Sequence, residues 1–120
     1  MPRTQDQLNA RLHAEMRGHG IAGPDAEFRF NVHGGATLIG CHWPVVNDPE
    51  RPNKRSRELR VVITREVSDI LRGADAEPFE RSLRAVLEVM GNRMRHYSAE
   101  EPNGHEPFTI HVSLVDLNPR

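Results

Sequence analysis

The stretch Phe28-Arg29-Phe30-Asn31-Val32-His33-Gly34-Gly35-Ala36-Thr37-Leu38-Ile39-Gly40-Cys41-His42-Trp43 decides the fold. Phe28, Phe30 and Val32 alternate with Arg29, Asn31 and His33, the period-two pattern of a strand with one wet face. Gly34-Gly35 interrupts it, and a second extended run follows. Two adjacent glycines between such runs predict a tight hairpin, because a two-residue type I′ turn needs positive φ at both positions. Pairing His33 with Ala36 sets the register. Val32 then faces Thr37, Phe30 faces Ile39 and Phe28 faces Cys41. One face carries Phe28, Phe30, Val32, Ile39 and Cys41, with Trp43 continuing it.

Upstream, Thr4 and Gln7 match a capping box, and Leu8, Leu12, Glu15 and Met16 keep helical spacing to Arg17. Downstream, Pro44 stops the second strand. Residues 44–57 hold three prolines and little apolar content, which reads as a long exposed loop. A third strand follows, with Leu59, Val61 and Ile63 alternating against Arg60, Val62 and Thr64. Residues 65–72 read as a short helix with Val67, Ile70 and Leu71 inward. From Asp75 a long helix is expected, because Phe79, Leu83, Val86, Leu87, Met90, Met94 and Tyr97 recur at helical spacing. Pro102, Asn103 and Gly104 mark a turn. A last strand alternates Phe108, Ile110, Val112 and Leu114 with Thr109, His111 and Ser113. The order α-β-β-β-α-α-β predicts a two-layer α+β fold. Its sheet has about four strands, mainly antiparallel, with helices on one face. Residues 1–120 read as one domain, consistent with the length.

Composition narrows the function. Sixteen Lys+Arg against seventeen Asp+Glu leave a net charge of −1, without the basic excess usual in a nucleic-acid binder. Mean hydropathy is −0.63, and every uncharged apolar run is too short to span a membrane. The single cysteine, Cys41, has no disulfide partner in the chain, and residues 1–7 lack an apolar leader stretch. A reduced cytoplasmic protein is expected. Lys54 is the only lysine among the cations, a bias that a GC-rich bacterial genome explains.

Motifs for chemistry are sparse. Seven histidines occur, but no His-x-x-x-His or Cys-x-x-Cys spacing, so no metal or cofactor is expected. His33-Gly34-Gly35-Ala36 is similar to the oxyanion loop of lipases, yet no Gly-x-Ser-x-Gly elbow accompanies it. Cys41 and His42 face opposite sides of a strand, so Cys41 is expected to act as a small buried hydrophobe. From Glu50 to Arg60 the chain has a local charge of +3, through Arg51, Lys54, Arg55, Arg57 and Arg60. The order α-β-β-β-α resembles the double-stranded RNA-binding domain in its elements alone. Where that family starts its last helix with lysines, this chain has Pro78-Phe79-Glu80-Arg81-Ser82. The order also resembles small α/β chaperones of type III secretion, which pair as dimers.

Two function classes stand out, with catalysis through His111 or His33 a third. The first is a non-enzymatic protein-interaction module acting as a homodimer, or on another protein, through the polar sheet face. That face would carry Arg29, Asn31, His33, Leu38, His42, Arg60, Val62, His111 and Ser113, with Val115 adding apolar area. The second is nucleic-acid or phosphate binding through the basic 51–60 segment.

Overall fold

Two glycines in the left-handed region, Gly34 at φ 58° and Gly35 at φ 85°, turn the chain between the first two strands. The computed structural model describes residues 3–22, 25–44, 58–73, 75–96 and 107–117. They form α1 (Gln5–Gly18), β1 (Glu27–His33), β2 (Ala36–His42), β3 (Leu59–Ile63), α2 (Arg65–Gly73), α3 (Ala76–Arg93), β4 (Phe108–Val112) and α4 (Leu114–Leu117), with a 3-10 turn at Met94–His96. The turn expected at residues 102–104 and all of the loop beyond Pro44 up to residue 57 lie outside the described residues, as does Tyr97.

The hairpin register is the expected one: His33 opposite Ala36, Phe30 opposite Ile39, Phe28 opposite Cys41. The strands lie in the order β1-β2-β3-β4. The β1/β2 and β2/β3 pairs are antiparallel, whereas β3 and β4 run parallel. The sheet is therefore mixed. Parallel neighbours cannot be joined by a hairpin and need a crossover, and here the chain returns to the sheet in the same direction after two helices. α2 and α3 are that crossover.

The core lies between one sheet face and the helices. Leu8, Leu12 and Met16 of α1 and Phe79, Leu83, Val86, Leu87 and Met90 of α3 are buried with Ile39, Leu59, Val61, Ile63, Ile110 and Val112 of the sheet. Each such side chain contributes roughly 1.5–3 kcal/mol on burial. α1 begins with the expected capping box: the Thr4 hydroxyl accepts from the Gln7 N–H, and the Gln7 side chain accepts from the Thr4 N–H.

Three side chains depart from expectation. Ile70 of α2 is 37% exposed rather than inward, and Ser68 is buried in its stead. The cause is the end of the β2/β3 ladder. The Ser68 hydroxyl donates to the Ile63 carbonyl at 3.1 Å and accepts the Thr37 N–H at 3.2 Å. Its one proton is thus committed, so the Thr37 hydroxyl donates to Ser68 Oγ at 3.0 Å and accepts from Gln5 Nε2 at 3.1 Å. An isoleucine at position 68 would leave backbone groups buried without partners. Val32 shares the inner face but is 50% exposed, because it lies on the outermost strand, while its partner Thr37 on β2 is fully buried under α1 and α2. Leu114 is not a strand residue: it opens α4 and is 41% exposed. The Asp116 carboxylate accepts from the Ser113 N–H and hydroxyl at 2.8 and 3.1 Å. Ser113-x-x-Asp116 is a capping signature readable in the sequence.

Replacing Ser68 by alanine should lower the unfolding free energy by about 1–3 kcal/mol, read from urea denaturation, because the Thr37 N–H and the Ile63 carbonyl lose a buried partner. The Ser113 N–H, its hydroxyl and Arg93 hold the Asp116 carboxyl below its ordinary value. A depressed carboxyl stabilises the fold fully above its unfolded pKa, near 4, and loses that contribution as pH falls through the native value. In acid titrations followed by circular dichroism, Asp116→Asn should therefore be less stable than the parent at pH 7, with the gap closing as the pH falls below about 4.

Candidate interaction surface on the open sheet face

The register assigns every strand side chain to a side. Opposite the core, successive rungs read Glu27–His42, Arg29–Gly40–Arg60–Thr109 and Asn31–Leu38–Val62–His111, and Glu58 stands just before β3. All helices that bury apolar side chains pack on the other face. Leu38 and Val62 are cross-strand partners and half-buried, so the middle of the open face is apolar.

Charges lie in pairs on the rungs to one side of that centre. Arg29 Nη2 meets Glu58 Oε1 at 2.6 Å, and Arg60 Nε lies 3.3 Å from Glu58 Oε2. Glu58 thus takes both arginines. The ion pair passes over Gly40, where an added Cβ would stand 3.1 Å from Glu58 Oε1. Arg29, Asn31, Leu38, Gly40, Glu58, Arg60 and Val62 together line a concavity of about 380 Å³. His42 Nε2 stands 3.6 Å from Glu27 Oε2, and His42 Nδ1 is buried with no partner among the described residues.

Of the residues expected at a site, Arg29 and Arg60 come together through Glu58, and His42 joins the adjoining rung. His33 stays exposed at the far end of the hairpin and His111 exposed on β4. Ser113 and Val115 leave the face altogether, one capping α4 and the other 79% exposed on it. Arg51, Lys54, Arg55 and Arg57 lie outside the described residues. Glu58 escaped the sequence reading, which counted it only as a charge in a basic run. Its two-residue spacing from Arg60 already placed both on one strand face.

A second cleft, about 530 Å³, lies between α1 and α3 over Ile21, Leu83 and Leu87. Arg11 grips Glu80 through both terminal nitrogens at 2.8 Å and Glu15 through Nε at 2.9 Å. His19 Nε2 lies 3.1 Å from the other oxygen of Glu15. Arg11 holds both carboxyls below their ordinary values, and the two in turn raise the Arg11 pKa. With its fork and its Nε engaged, Arg11 acts as a clamp between two helices. The spacing of Arg11, Glu15 and His19 was visible in the sequence, but their partner on α3 was not.

Among the described residues, no three His, Cys, Asp or Glu side chains cluster to hold a metal ion, and no helix is long and apolar enough to cross a membrane. No protein-family model, curated protein or solved structure matches this chain.

Cys41 is 1% exposed. Burial pushes its thiol up to about 12, with the Glu58 carboxylate adding to the effect. The thiolate is the reactive form. Folded protein should leave a disulfide reagent such as Ellman's nearly untouched at pH 8, and one thiol per chain should react at once in denaturant. Fast labelling of the folded chain would contradict that environment.

Proposed function

We propose that this chain is a non-enzymatic protein-interaction module that works as a homodimer, with its sheet as the element of contact. One observation carries the reading: among the described residues the sheet is covered on a single face, and the other presents Leu38 beside Val62 among polar and charged neighbours. An apolar centre with a polar rim is the usual anatomy of a protein contact. Glu27 and Glu58 balance Arg29 and Arg60, so the face suits another protein better than a polyanion. The sheet also ends in an edge strand, β1, which can pair with a copy of itself about a two-fold axis.

Phosphate or nucleic-acid binding through residues 51–60 is the other reading. Arg60, its one described cation, is engaged by Glu58. A reducing bacterial cytoplasm fits the lone buried Cys41 and the arginine-rich cations.

Sedimentation equilibrium at about 50 µM should return the mass of two chains, the range in which a modest interface associates. A monomer mass at that concentration would end the homodimer reading. Anisotropy titration with a labelled oligonucleotide should show no binding at low salt. Tight binding that falls steeply with added salt would favour the nucleic-acid reading instead.

A further inference from the structure

β1 is an edge strand. β2 pairs with one side of it, and among the described residues nothing pairs with the other. The two-residue turn dictates which backbone groups face that open side. His33 and Ala36 flank the turn and exchange hydrogen bonds, so His33, Asn31, Arg29 and Glu27 point their N–H and C=O groups at β2. Phe28, Phe30 and Val32 point theirs outward.

We infer that β1 pairs antiparallel with β1 of a second copy about a two-fold axis at Phe30, joining two four-stranded sheets into one of eight. This rests on the homodimer reading and names its contact. The register follows from the phase of the free groups. Phe30 faces the partner's Phe30, Phe28 faces the partner's Val32, and Val32 faces the partner's Phe28. Each of these pairs exchanges both of its bonds, about six in all. The alternate residues sit in the non-bonded positions, Arg29 opposite the partner's Asn31 and Glu27 opposite the partner's His33. Acid then meets imidazole at both ends, and no like charges stand directly opposed. The two Arg29 side chains are diagonal neighbours, and each already holds Glu58 at 2.6 Å.

Two further observations favour a second copy. Edge strands are normally guarded by proline, by charges (lysine above all) or by a bulge; residues 27–33 contain no proline or lysine, their one central charge, Arg29, is engaged by Glu58, and they pair with β2 without a break in register. The helical layer also covers the seam only in part. Val32 is 50% exposed, and Phe28 and Phe30 stay half-buried although the His13 ring lies 4.4 Å from Phe28. A two-fold axis normal to the sheet keeps both helical layers on one side, so these six side chains fill the gap between them. The two open faces become one continuous surface, free for a protein partner. A contact of one strand per copy is small, so the dimer forms in the micromolar range.

Val32→Lys places a guarding charge on the edge at a side chain that is already half exposed, and a thermal melt checks that the monomer fold survives. Leu38→Glu alters the open face instead. Sedimentation equilibrium should show Val32→Lys weakening the dimer at least tenfold, while Leu38→Glu stays within about threefold of the parent. Amide exchange by NMR gives an independent reading: protection at Phe28, Phe30 and Val32 should rise with protein concentration, while Arg29 and Asn31 stay protected throughout. If a dimer forms but Leu38→Glu is the variant that dissociates it, and the three amides exchange alike at all concentrations, the edge contact is wrong and the homodimer reading stands. If the parent chain is monomeric at every concentration, both fail together.

Discussion

The turn at Gly34-Gly35 is the constraint on which the rest depends. Both residues hold a positive φ that other residues resist, and a two-residue connection admits one pairing register. That register sends Ile39 and Cys41 under the helices and Leu38, Arg29 and Asn31 to the opposite face. It also decides which backbone groups of β1 are left pointing away from the sheet. A slip of one residue would exchange the faces and put Arg29 where Phe28 lies. At Gly35 an added Cβ would stand 2.8 Å from the Arg65 side chain, so the turn is held close against the start of α2.

From the turn, order passes to the crossover. β3 leads into α2, and Ser68 closes the ladder that β2 and β3 leave open at Thr37 and Ile63. Arg72 at the end of the same helix donates to the Gly35 carbonyl and to Gln5 of α1. The hairpin turn, α1 and α2 are therefore tied by a polar network beside the apolar core. Arg93 of α3 does the same at the other end, donating to the His111 carbonyl and to Asp116. Polar groups at both ends of the helical layer fix how α2 and α3 lie on the sheet, and apolar burial supplies most of the stabilisation.

The open face adds the geometry that a charge count lacks. The segment up to Arg60 reads as basic, yet Glu58 lies between Arg29 and Arg60 and offsets one of their two charges on the sheet. Gly40 makes that possible, because a side chain there would crowd the ion pair. The surface that results sets an apolar pair, Leu38 and Val62, beside charges that are paired with one another, which suits contact with a folded partner.

Local patterns determined much of this protein. Alternation marked the strands, 3.6-residue spacing marked α1 and α3, and the capping box and glycine pair set where α1 begins and where the hairpin turns. Those signals act between neighbours in the chain, where geometry is fixed by a few bonds. Strand order, the parallel direction of β4, the burial of Ser68 in preference to Ile70, the exposure of Val32 and the meeting of Arg29 with Glu58 were settled only in three dimensions. Each depends on what packs against a residue from a distant part of the chain: a ladder that ends, a helical layer that covers an edge strand only in part, or a carboxylate 29 positions away across the sheet. A residue's chemistry is written locally, but its partners are chosen by the closure of the whole core.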